Sequence, residues 1–231
     1  MTASSYNSEL IETFIQKASL KQLVYANTLK VFGDFKESIR NLYESSFETV
    51  ANHPENLLYK YEERGNFEVK FTFGSDILIF AVHTNVFEFP RDHIVMKTSY
   101  VKEEKDRSYC GMINIYNFIA DSFKYNRIND VGYMIGRIFV NKEFHYFIEG
   151  KRELGFLYSN FVESIIDKEA IRKIIESAIM YTIKFDILTP PFDQVKEVTV
   201  LDMQNELDNM KLKTGKRLGF RFQGDHEERE R

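Results

Sequence analysis

The hydrophobic positions of this chain keep two different periods. Near the start they recur at helical steps: Ile11, Phe14, Ala18, Tyr25, Leu29, Phe32, Phe35, Ile39, Leu42, Tyr43 and Phe47 fall mostly three, four or seven apart. No proline interrupts the run, and Pro54 disfavours helical geometry at His53, so the spacing predicts an N-terminal helical segment over residues 1–53. Gly33 is its one weak point and is able to divide it into two helices. An unbroken helix from about Ser8 to Ala51 spans roughly 60 Å, more than a compact domain of this size covers. The segment must therefore fold back at Gly33, or project and pair. Gln22 and Lys36 share one heptad track, so a strict coiled coil is not demanded.

From Leu57 the period changes to two. "LLYKYEER", "NFEVKFTF", "ILIFAVHT" and "VFEF" are rich in Phe and β-branched residues, and turn-forming Gly-Asn, Gly-Ser-Asp and Asn separate them. Such short connections imply antiparallel pairing. In the second run Phe67, Val69, Phe71 and Phe73 face one way and Glu68, Lys70 and Thr72 the other, which predicts one core face and one wet face. "VKEEKDRS" reads as a charged loop. After it Met112, Ile115, Tyr116, Ile119 and Phe123 return to helical spacing and predict a helix over "GMINIYNFIADSFKYN".

"YMIGRIFVNKEFHYFIEG" reads as a hairpin turning near Asn141-Lys142-Glu143, apolar on both faces and hence deep in the sheet. "DKEAIRKIIESAIMYTIKF" is an amphipathic helix ended by the turn "LTPPFD". A further helix is expected from Thr199, where Asp202 has capping-box spacing. "RLGFRF" reads as a last strand and residues 225–231 as a frayed, disordered tail. The predicted fold is α+β, a central mainly antiparallel sheet flanked by helices. A body over residues 54–224 joins the N-terminal segment in one domain overall.

Composition narrows the function classes. The 231 residues include 43% hydrophobic and 29% charged side chains, which is globular rather than disordered. A net charge of −4 makes generic nucleic-acid binding a poor expectation, since such binding rests on Lys and Arg neutralising phosphates. One cysteine, Cys110, permits no internal disulfide and fits a reducing compartment. No basic-then-apolar leader is visible at "MTASSYNSEL", and the longest apolar runs fall far short of the ~20 residues of a bilayer span. The expectation is a cytoplasmic protein with no membrane partner.

Candidate chemistry is sparse. "GKRELGF" from Gly150 is echoed by "GKRLGF" from Gly215, but neither copy has the glycines before the lysine, or the Ser/Thr after it, that a phosphate loop needs. Two plain turns with solvated cations explain the echo; alternatively Lys151, Arg152, Lys216 and Arg217 form an anion-binding rim. Glu68-x-Lys70, with Glu62, Glu63 and Asp76 nearby, has the acid-x-Lys form of metal-dependent nucleases, and it is also what any solvated sheet face looks like. The five histidines make no zinc spacing, although Asp92-His93 and His83 are able to converge. No cofactor motif is present, neither the dinucleotide fingerprint nor a hydrolase elbow.

The most distinctive pattern is a polar stripe. On the predicted central helix Asn114, Asn117, Asp121 and Lys124 fall on one face, and Arg127 follows. Asparagine is a mediocre helix former with two-sided hydrogen bonding, so the stripe reads as a ligand-pairing surface or as a buried polar seam. With Lys151 and Arg152 these residues form the candidate binding set for an anionic small molecule.

"YCGMINIYNFIADSFKYNR" and "GRIFVNKEFHYFIEGKR" together resemble segments of bacterial proteins of unknown function. That resemblance covers the middle third of the chain and implies a bacterial cytosol, without an activity. The functional expectation is a non-catalytic binding or assembly protein that homodimerises through its N-terminal helical segment. The alternative is an enzyme acting on a phosphate-bearing ligand or nucleic acid.

Overall fold

In the computed structural model, which describes residues 3–150, 154, 160–186, 189, 191–201 and 203, helix α1 runs from Ala3 to Ala51 without a break. Its 49 residues extend about 73 Å. Gly33 is thus an ordinary helical position, and a Cβ built there meets nothing within 4 Å. Gly33→Ala is expected to stabilise the fold by about 0.5–1 kcal/mol, because it adds helix propensity and no clash. Thermal melting should show a rise of about 1–4 °C.

The two-residue period builds a seven-stranded sheet. Its strands are β1 (Tyr59–Arg64), β2 (Glu68–Phe73), β3 (Asp76–Val82), β4 (Phe87–Glu88), β5 (Tyr109–Ile119), β6 (Tyr133–Asn141) and β7 (Tyr146–Gly150). The order is β1-β2-β3-β5-β6-β7, every pair is antiparallel, and β4 adds to the start of β5. Gly65 and Gly74 turn the first two hairpins at φ of 58° and 60°, a region that glycine enters without the Cβ penalty.

One face of the sheet carries the main core. Val69, Phe71, Leu78, Phe80, Ile113, Ile115, Ile138 and Ile148 alternate inward. Val31, Phe32, Phe35 and Ile39 of α1 cover them, together with Ile171, Ile174, Ile175 and Ala178 of a C-terminal helix. Further along the chain the short helices are α2 (Ser99–Glu103) and α3 (Ala120–Lys124). The helix over the core is α4 (Lys168–Ile183), whose predicted start is real: Asp167 Oδ1 accepts from the Ala170 amide at 2.7 Å. A helical turn, α5, occupies Phe192–Val195, and the Met203 amide bonds to the Thr199 carbonyl at 3.1 Å. Asp202, the last strand expected at "RLGFRF" and the tail lie outside the described residues.

Two expectations are corrected. Residues 109–119 form the strand β5, and only Ala120–Lys124 is helical. β5 lies between β3 and β6 with nearly every residue buried, so apolar side chains occupy both faces and no alternation marks it as a strand. Nor is the second face wet where β2 crosses it, since Lys70 and Thr72 are buried. The chain leaving β5 folds back over that face, and the Lys70 ammonium lies 4.4 Å from the centroid of the Phe123 ring.

The carboxyl-terminal half of α1 is fastened to β1 by aromatic stacking and charge. Tyr43 stacks on Tyr59 with ring centroids 5.3 Å apart. The Glu63 carboxylate accepts hydrogen bonds from Tyr61, Arg40 and Lys36, which together pull its pKa down to about 2 from an ordinary 4.5. A depressed folded-state value stabilises the protein above the unfolded pKa, and that stability is lost as pH falls from about 4.5 to about 2. Glu63→Gln should therefore cost about 1 kcal/mol at pH 7, a value kept small by solvent screening. Urea midpoints of variant and parent should converge near pH 2.

Candidate functional site

β5 disperses the predicted stripe. Asn114 is paired with Ala81 and Asn117 with Leu78, so the two asparagines point to opposite faces of the sheet. Asn117 is buried on the core side and its amide donates to Asp76 Oδ1 and the Ile77 carbonyl, each at 3.3 Å. Asp121 and Lys124 are exposed on α3, with the Lys124 ammonium 4.9 Å from the Tyr125 ring centroid. Arg127 is buried and its Nε lies 2.9 Å from Asp130 Oδ2, which also accepts from Ser122 Oγ at 2.6 Å. These bonds knit the turn after α3. Lys151, Arg152, Lys216 and Arg217 lie outside the described residues.

The acid-x-Lys set is divided, with Glu68 beside Lys70 on the second face. Glu62 and Lys70 face each other on the second face, while Glu63 turns towards α1. Asp76 lies at the far end of β3. Among the described residues no three His, Cys, Asp or Glu side chains are grouped to hold a metal ion.

What the fold does assemble is a cavity of about 350 Å³ on the second face. Cys110 and Met112 of β5, Arg137 and Phe139 of β6 and Glu149 of β7 supply one side. The segment from Phe87 to Pro90, with His93, supplies the other. Phe89 stacks on His93 with centroids 4.6 Å apart and packs against Phe139 at 4.9 Å. Burial pushes the Cys110 thiol up, which keeps it protonated and unreactive.

The polar wall of the cavity is charge-balanced. Arg137 and Glu149 are register partners across the β6–β7 hairpin, and the guanidinium holds Glu149 Oε2 through Nε and Nη2. His93 Nε2 lies 3.2 Å from the other carboxylate oxygen. His93 Nδ1 accepts from the Val95 amide at 3.3 Å, which leaves the ring proton on Nε2 to be donated to Glu149. Glu88 accepts from the Tyr109 hydroxyl at 2.9 Å. The sequence signal for this group lay in the second hairpin: counting outward from its turn puts Arg137 opposite Glu149.

At the turn of that hairpin a second polar network is already closed. Asn141 donates to Tyr100 Oη at 2.9 Å and accepts from the amides of Glu143 and His145 at 2.9 and 3.0 Å. Tyr100 donates to Glu143 at 2.6 Å, and Arg107 lies over its ring at 4.3 Å. With its partners filled from within, this network holds the turn rather than awaiting a ligand.

The other open surface is the amino-terminal end of α1. Residues 7–17 are all exposed, and Leu10, Ile11, Phe14 and Ile15 have 54–67% of their surface in solvent. Leu10 and Phe14 precede the buried Thr28 and Phe32 by five helical turns, so they continue the very stripe that covers the core. On the face of Leu10 and Phe14, Glu9 lies at one end and Lys17 and Lys21 at the other.

No protein-family model, curated protein or solved structure matches the chain. Among the described residues no helix is long and apolar enough to cross a membrane.

Proposed function

We propose that the chain is a non-catalytic binding and assembly protein that homodimerises through the projecting end of α1. The observation that carries this reading is the continuation of the core-covering stripe, at Leu10 and Phe14, beyond the body it covers. A large apolar group at that place is otherwise costly in water, and contiguous exposed apolar surface marks a contact site. The flanking charges favour a second copy as the occupant. In an antiparallel two-fold pair, Glu9 of one copy approaches Lys21 of the other, and the same patch serves both subunits.

An enzyme acting on a phosphate-bearing ligand would need its polar residues on one concave surface. Asn114 and Asn117 lie on opposite faces, and Arg127 is engaged with Asp130. The geometry therefore favours assembly. Light scattering coupled to size exclusion is expected to give twice the 27.3 kDa chain mass. A monomer at high micromolar concentration would defeat the dimer.

A further inference from the structure

We propose that each copy in the dimer also receives the other on its body, in the trough between α1 and the segment Thr84–Phe87 that leads from β3 into β4. The first turns of one helix then lie against that segment of its partner. This rests on the dimer reading above and locates the remainder of the same interface.

The helix end by itself is too small a contact. Residues 7–17 make a helix face roughly 16 Å long and 10 Å wide, well below the ~800 Å² that each side of a stable interface buries. The adjoining surface supplies more. The concave face along Leu10, Phe14 and Lys21 continues, through Lys21, into a trough of about 470 Å³ lined by Gln22, Tyr25 and the segment Thr84–Phe87. Thr84, Asn85 and Phe87 are exposed along it.

The packing of the body steers a partner helix into this trough. Leu20 and Val24 are buried against Tyr109 and Val86, so the sheet begins within one turn of Lys17, on the side to which Leu10 and Phe14 point. A helix laid antiparallel along their stripe meets the body there and has to pass beside it.

Ile11 and Ile15, each 54% exposed, supply the matching surface. Ser8, Ile15 and Gln22 are seven residues apart, and Ile11 lies between the first two at helical spacing, so all four share one side of α1. Gln22 places that side in the trough. The two-fold axis of an antiparallel pair keeps corresponding sides of both helices on one side of the pair. With Glu9 opposite Lys21, the partner's Ser8 falls across from Gln22, beside Asn85, and its Ile11 turns an apolar side chain towards Phe87. Charge agrees with this seating: residues 3–16 carry Glu9 and Glu12 and no cation, while the trough carries Lys21 and no acid.

Oxidative crosslinking tests the seating. Within one chain Ser8 stands about 21 Å along the helix from Gln22, too far for a disulfide to the segment beside Gln22. A bond between cysteines at positions 8 and 85 therefore joins two copies. The double variant Ser8→Cys, Asn85→Cys is expected to give a covalent dimer on mild oxidation, and neither single variant is. Adding Leu10→Glu and Phe14→Glu should abolish the crosslink, which separates assembly from chance collision. Phe87→Glu is expected to weaken the dimer about tenfold in sedimentation. A dimeric parent without the crosslink, or an unchanged dissociation constant in folded Phe87→Glu, would overturn the trough as the seat and leave the dimer standing. A monomeric parent would overturn both.

Discussion

Replacing Leu10 and Phe14 together by glutamate is expected to turn the proposed dimer into a monomer without unfolding the chain. Burying a Leu or Phe side chain contributes about 1.5–3 kcal/mol, and two-fold symmetry repeats each change on both subunits. Discounting heavily for non-additivity leaves a loss of at least about 4 kcal/mol, or roughly a thousandfold in dissociation constant. Both residues are exposed in the single chain, so the intrinsic stability of the monomer should change by no more than about 0.5 kcal/mol. Sedimentation velocity reads the first effect. Melting as a function of protein concentration reads the second: the parent should melt higher as it is concentrated, and the variant should not. Equal masses for the two proteins would remove the dimer contact from this end of α1.

Gly111→Ala is expected to be among the most damaging single substitutions in the protein. Gly111 lies on the core face of β5, against Thr28 of α1. A Cβ built there would fall 2.0 Å from Thr28 Oγ1 and 2.8 Å from Thr28 Cβ. Thr28 has no room to yield, being fully buried with its hydroxyl bonded to the Val24 carbonyl at 2.8 Å. The helix must move off the sheet, at a cost of about 3 kcal/mol, the upper part of the usual range for overpacking. The corresponding fall in melting temperature is about 6–12 °C for a chain of this length. Thr28→Gly in the same molecule removes the clashing atoms and should recover part of the loss, less about 1 kcal/mol for glycine in a helix. An unaltered melting temperature for Gly111→Ala would mean that α1 does not pack on β5 at this point.

The elements that were legible in the amino-acid pattern are those whose two faces differ in polarity. α1 and α4 show the helical period because one stripe of each is buried, and β2 shows the strand period because Glu68, Lys70 and Thr72 alternate with apolar residues even though Lys70 and Thr72 are themselves buried. β5 was misread because burial on both faces erased its alternation, leaving Met112, Ile115, Tyr116 and Ile119 to match helical spacing by accident. The error carried the site with it: a stripe that is continuous on a helix is divided between two faces on a strand. Arg137 and Glu149 escaped notice because each sits alone in an apolar run. Only the register across the turn shows that they meet, and only tertiary structure brings His93, 56 residues before Glu149, to the same carboxylate.

The unbroken passage of α1 through Gly33 also makes the helix a ruler. Phe14, at the proposed contact, and Phe32, in the core, are held five turns or about 27 Å apart with no joint between them. The two bodies of a dimer are therefore locked in azimuth as well as in separation. Adding one residue to the shaft would swing each body by about 100° relative to the contact. Adding seven would lengthen it by about 10 Å and restore the facing almost completely.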